Sequence, residues 1–246
     1  MTIDPVAKLA AAAIIAVCLL VTLDPVSAGV ALVLELLLIP LLRIPVGRFW
    51  MRTLPIWIAA PLAGLTIALY GRTSGTVFAE FLFARVSEGS LMLALATALR
   101  VLAIGLPALT LFITIDTTRL ADSLAQTLHL PARFVLGALA GTRLIGLAAE
   151  DRRTVVLARR ARGVGDRDWL RRAAGVAFSL LVSALRRGSA LAIAMEARGF
   201  GSPVRRTWAR PARFGWSGVA LCLIAAAIGG AAITAAVVTG YWSPVV

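Results

Sequence analysis

The residues best placed to do chemistry are two arginines, each set in the triplet Ala-Arg-Gly. The first copy is Ala161-Arg162-Gly163, followed by Val164-Gly165; the second, thirty-six positions on, is Ala197-Arg198-Gly199, followed by Phe200-Gly201. Both copies close Ala/Leu-rich runs. Glycine takes the left-handed turn that ends a helix, and a cation in the last turn suits the negative end of the helix dipole. Each copy therefore predicts a helix ending in a protruding arginine. A guanidinium keeps its charge and offers a planar fork of donors, which suits several charge-assisted hydrogen bonds to acceptors. For either copy alone, an ordinary basic helix end is the competing reading.

Catalytic groups are missing from the sequence. The one lysine, Lys8, stands in no Gly-x-x-x-x-Gly-Lys-Ser/Thr loop, so the chain cannot place a lysine on nucleotide phosphates in that way. His129, the one histidine, sits in a His-Leu-Pro connection. Cys18 and Cys222 both fall inside apolar runs and suggest neither a disulfide nor a metal site. No catalytic residue, metal ligand or bound cofactor is expected, and any energy input must come from a partner.

These arginines need elements to carry them, and composition says where those elements lie. Apolar residues make up 60% of the 246, mean hydropathy is +0.90, and the apolar residues come in long runs. That combination predicts an all-α, polytopic membrane protein. The formal charge is +13, and eighteen arginines lie between Asp116 and Gly215. Such density predicts the cytoplasmic side, next to anionic head groups and acidic protein surfaces. A nucleic-acid partner is disfavoured, because a basic stretch between membrane spans is more often topological.

About five spans are expected, near 6–23, 26–42, 54–70, 91–115 and 216–240. The small-residue cleavage mimic Val26-Ser27-Ala28 invites a signal-peptide reading, but the leader is nearly neutral and a second apolar run follows at once. Arg43, Arg48 and Arg52, with no acid among them, predict a cytoplasmic loop and hence a cytoplasmic amino terminus. Residues 71–90 balance charges, as suits an external connection. Glu35 and Arg100 lie within spans, where a charge costs roughly 2.5–3.5 kcal/mol. Either they pair, or bracket a polar contact with another subunit, or each is satisfied separately.

From Asp116 the texture changes. Asp116-Thr117-Thr118 predicts a capped helix to about Leu128, then a corner at His129-Leu130-Pro131. Two long amphipathic helices are expected over about 132–162 and from Asp166 or Asp168 to Arg198, their apolar stretches too short for spans. Gly137-x-x-x-Gly141 and, in the last span, Ala226, Gly230 and Thr234 offer close-approach faces. The division is thus 1–115 in the membrane, 116–215 as a cytoplasmic coupling domain, and 216–246 as the closing span. Arg205, Arg206, Arg210 and Arg213 form a basic collar before it, and Trp216 and Tyr241-Trp242 mark its two interfaces.

The paired Ala-Arg-Gly motifs in a basic stretch flanked by spans resemble the T component of energy-coupling factor (ECF) transporters, as does the opening Asp4-Pro5-x-x-Lys8. The resemblance covers nearly the whole chain. It implies that Ala161, Arg162, Gly163 and Ala197, Arg198, Gly199 couple to two ECF ATPase subunits, with ATP acting only through those partners. It also implies an X-shaped helix pair, a membrane substrate-capturing (S) subunit, a location in the plasma membrane of a prokaryote, and cargo that is a vitamin or a transition-metal ion. Arg159 and Arg160 beside the first motif, against Glu196 beside the second, fit either two unlike ATPases or drift of surface charge. The rivals are a permease of a conventional ABC importer and a non-transport membrane scaffold.

Overall fold

The computed structural model describes residues 3–22, 24–42, 46–71, 77–81, 84–163, 169–202 and 207–240. Several expectations lie outside those residues: Arg43, the helix cap at Asp166 or Asp168, Arg205 and Arg206 of the collar, and Tyr241-Trp242. The chain forms two units, residues 1–120 with 213–246, and residues 121–212.

In the first unit, aspartate and proline start two helices in the same way. Asp4 Oδ1 accepts the Val6 amide at 2.8 Å ahead of α1 (Pro5–Leu20), and Asp24 Oδ2 accepts the Ser27 amide at 2.7 Å ahead of α2 (Pro25–Leu38). Proline at the first helical position needs no donor, and the carboxylate satisfies an otherwise orphaned amide. A 3-10 turn, Ile39–Leu42, continues α2. α3 (Val46–Tyr70) runs through Pro55 and Pro61. An antiparallel pair of short strands, β1 (Val77–Phe81) and β2 (Ala84–Ser87), stands in the connection where no regular element was expected. Ser87 and Ser90 then form a reciprocal capping box that opens α4 (Glu88–Ile113). α5 (Thr117–Gln126) starts here and has most of its residues in the second unit, while α8 (Trp216–Val238) belongs to the first.

The core of this unit is built from α1, α2, α4 and α8: Ile15 and Leu19, Ala31 and Leu32, Ala103 and Leu106, Ala225 and Ile228. Small residues let α1 and α8 close up. A Cβ on Gly218 would come within 2.9 Å of the Ala7 Cβ, and one on Gly229 within 2.7 Å of the Cys18 Cβ. The small face of α8 is therefore Gly218, Ala225, Gly229, Ala232 and Ala236, all buried. The expected face of Ala226, Gly230 and Thr234 is exposed. In an Ala/Gly-rich helix several adjacent stripes are equally small, and only the neighbouring helix selects one.

Three chain positions share one end of this unit. Lys8 Nζ donates to the Thr114 carbonyl at 3.1 Å and to its hydroxyl at 2.7 Å. The Cys222 thiol lies 3.7 Å from the Ala7 carbonyl. The start of α1, the end of α4 and the start of α8 thus sit together, while Cys18 and Gly229 meet at the opposite end.

The second unit holds α6 (Ala132–Ala161) and α7 (Trp169–Ala197). Its small buried cluster joins Ala121, Ala125 and Val135, with Leu139 and Trp208 against them. Gln126 ties residues 210–212 back to this cluster: its Nε2 donates to the Arg210 carbonyl at 2.9 Å and its Oε1 accepts the Ala212 amide at 2.9 Å. His129 takes a left-handed φ of 53°, and the Leu130 amide donates to the Leu124 carbonyl, which makes the expected corner.

Among the described residues five helices are long and apolar enough to cross a membrane, but their membership differs from expectation: α3 from Phe49, α4, α6, α7 and α8. α6 and α7 are continuous over 30 and 29 residues, through Arg143 and through Arg186-Arg187, where the sequence reading broke their apolar stretches. α1 and α2, with 16 and 14 residues, are shorter than the roughly 20 that span a hydrocarbon core. Gly137 and Gly141 have nothing within 4 Å of where a Cβ would stand, so they make no close approach. α7 carries an apolar face, whereas in α6 polarity divides along the axis: the first eighteen residues hold only Arg133 and Arg143, and most of the charge follows from Glu150 on.

Candidate functional site

Both motif arginines sit at helix ends, and both following glycines take the left-handed conformation, Gly163 at φ +67° and Gly199 at φ +77°. At the end of α7 the Phe200 amide donates to the Met195 carbonyl at 3.0 Å and the Gly199 amide to the Glu196 carbonyl at 2.9 Å. Those two bonds are a Schellman closure, with Arg198 as the capping residue. At the end of α6 the Gly163 amide donates to the Arg160 carbonyl at 3.0 Å, the inner bond of the same closure. The backbone at each tip is thereby set, and each arginine leaves a terminated helix instead of a frayed one.

Arg162 and Arg198 are exposed, and among the described residues neither guanidinium makes a hydrogen bond or an ion pair. Ala161, Gly163, Ala197 and Gly199 are exposed around them. An arginine pinned at its backbone and unsatisfied at its head can receive acceptors from another molecule.

Two side-chain contacts fix how the helices run. Asp151 and Arg187 form an ion pair at 2.7 Å, and Arg159 Nη1 donates to the Arg172 carbonyl at 3.4 Å. Stepping back along α6 from Arg159 to Asp151 steps forward along α7, so the helices are antiparallel. Arg162 and Arg198 therefore project from opposite ends of the hairpin, separated by about 40 Å at 1.5 Å rise per residue. The sequence reading missed both contacts. One signal was present: Asp151 and Arg187 are also thirty-six residues apart, the offset of the two motifs.

Asp116 caps α5 as expected, accepting the Thr118 amide at 2.7 Å and the Arg119 amide at 3.1 Å. Bonds from the Arg119 and Thr118 backbone hold its carboxyl below the ordinary aspartate range.

Glu35 and Arg100 do not meet. Glu35 is 4% exposed and neither carboxylate oxygen has a hydrogen-bond partner among the described residues. Arg100 Nε and Nη2 are likewise buried without partners among the described residues. No three His, Cys, Asp or Glu side chains gather as metal ligands among the described residues.

Among the described residues, then, stand five helices long and apolar enough to cross a membrane, with a capped, exposed arginine at the end of both α6 and α7. The chain belongs to the CbiQ cobalt transport protein family, whose model matches residues 1–208 and so includes both motifs. It is similar to the energy-coupling factor transporter transmembrane protein EcfT of Limosilactobacillus fermentum (strain CECT 5716 / Lc40). The two are 28% identical over 195 residues, which cover 71% of this chain and 72% of the relative. The T-component resemblance of the motifs and the family membership agree.

Proposed function

We propose that this chain is the mechanical link of an ECF importer. Arg162 and Arg198 dock into grooves on two partner ATPase subunits, and ATP acts only through those partners. ATPase closure and release change the geometry of the α6–α7 hairpin. The uncovered apolar face of α7, with Phe178, Leu181 and Leu185 exposed, passes that change to a membrane S subunit. That subunit captures the cargo, a vitamin or a transition-metal ion; the cobalt in the family's description favours the metal. The chain resides in the plasma membrane of a prokaryote with its amino terminus cytoplasmic, and α6 and α7 lie at the inner face. It is not an enzyme and holds no cofactor of its own.

The observation that supports this reading most is the pair of capped guanidinium groups, without partners among the described residues, on opposite ends of one hairpin. Two separate docking points suit two ATPase subunits, where a single coupling loop would serve a conventional permease. Leaving one side of a buried charged contact unpaired costs about 2–5 kcal/mol, so each arginine is a hot spot. Arg162→Glu or Arg198→Glu should reduce ATPase co-purification and transport at least tenfold, with membrane insertion unchanged. Normal ATPase recovery and transport in both variants would reject the docking role.

A further inference from the structure

Cations, an indole and an apolar floor meet in one cavity of the second unit, where α6 stops and α7 starts. The cavity is about 470 Å³, with Arg152, Arg159, Arg160 and Arg172 around it. Trp169 stands at its edge, 73% exposed. Val176, buried, and Leu180, half-buried, form the floor.

By sequence this stretch is strongly positive. From Arg152 to Arg172 the sequence holds eight arginines against two acids, Asp166 and Asp168. Asp151, just before them, is engaged by Arg187 at 2.7 Å. One of the cations is also held in place in advance. Arg159 donates to the Arg172 carbonyl, and its guanidinium lies over Gly175, where a Cβ would collide with it. A fixed planar fork among further cations suits the oxygens of a phosphate. The apolar floor adds a demand that a free phosphate does not meet, because it offers a place to hydrocarbon. An exposed indole next to arginines is the side-chain set of the head-group layer, apolar on its faces and polar at its N–H.

We propose that this cavity binds the phosphate of an anionic phospholipid, tethering the α6–α7 corner beside Arg162 to the membrane surface. The proposal rests on the membrane placement given above and not on ATPase docking. Its test uses the chain without ATPases, so its failure and the failure of docking are told apart.

The full chain, purified in detergent, is titrated with phosphatidylglycerol and with phosphatidylcholine, and bound lipid is counted by native mass spectrometry. Phosphatidylglycerol should be retained roughly tenfold better than phosphatidylcholine. The Arg159→Gln, Arg172→Gln double variant should lose that preference, while the charge-matched Arg133→Gln, Arg143→Gln variant keeps it. Equal retention of the two lipids, or equal loss in both double variants, overturns the proposal. Millimolar inorganic phosphate that displaces the lipid completely would assign the cavity to free phosphate and overturn the lipid source. A readout free of arginine variants is quenching by brominated lipid, taken as wild type minus Trp169→Phe. Quenching by brominated phosphatidylglycerol alone supports the site; equal quenching by both lipids overturns it.

Discussion

Asp151 on α6 and Arg187 on α7 form an ion pair at 2.7 Å that joins positions thirty-six residues apart, the offset that also separates Arg162 from Arg198. Each partner therefore stands eleven residues before its own motif arginine. The two helices are braced at matching distances from their tips, so movement at either tip is resisted at the same ion pair. The pair is partly exposed and contributes roughly 0.2–1 kcal/mol, so its value lies in register more than in stability. Asp151→Arg or Arg187→Asp alone should impair transport with less than about 1 kcal/mol lost in thermal stability. The exchanged double variant should recover transport; no recovery would remove the bracing role.

The caps make a second prediction. An L side chain in the left-handed region costs about 1–2 kcal/mol. Gly199→Ala should therefore fray the end of α7 and lower ATPase co-purification severalfold, although Arg198 itself is unchanged. Gly199→Asn, which tolerates that conformation, should be milder. Pull-down yields of the two variants against wild type decide it.

Adjacent glycines of α8 should respond in opposite ways. Gly229 meets Cys18, and Gly230 has nothing within 4 Å of a Cβ. Gly229→Leu overpacks the α1–α8 contact at a cost of about 1–3 kcal/mol, lowering folded yield in detergent. Gly230→Leu should leave the yield normal. Size-exclusion profiles and thermal midpoints would compare them.

Chain ends and connections should label as a set. The start of α1, Thr114 and the start of α8 share one end of the first unit. In a Cys-less background, single cysteines before Pro5, at Ile115 and at Ser217 should all react with a membrane-impermeant reagent from the same side. A cysteine at Thr239 should react only from the other.

The Asp116 cap should carry a pH signature. Its carboxyl is held low by the Arg119 and Thr118 amides, so the cap is fully present above the unfolded aspartate value and is lost as pH falls through the lower folded value. Hydrogen-exchange protection of the Thr118 and Arg119 amides should fall over that window. Asp116→Asn should show no such step.

Much of the site was legible because it is local. An Ala-Arg-Gly sequence carries its own helix end: glycine takes the left-handed turn, the preceding carbonyls accept, and the arginine is left outward, whatever else is nearby. The Asp116 cap is local in the same sense. The helical membrane class followed from long apolar runs, which leave a backbone no other way to satisfy itself in lipid.

What the sequence by itself determined, then, was the two Ala-Arg-Gly helix ends and the Asp116 cap, together with the class of protein. Only the tertiary structure decided which stripe of α8 faces α1, since Gly229 and Gly230 are equal until Cys18 stands beside one of them. It also decided that Glu35 and Arg100 do not meet, and that Arg162 and Arg198 point from opposite ends of a hairpin. Those outcomes depend on which helix passes at which height, and a single helix's residue pattern does not contain its neighbour's position.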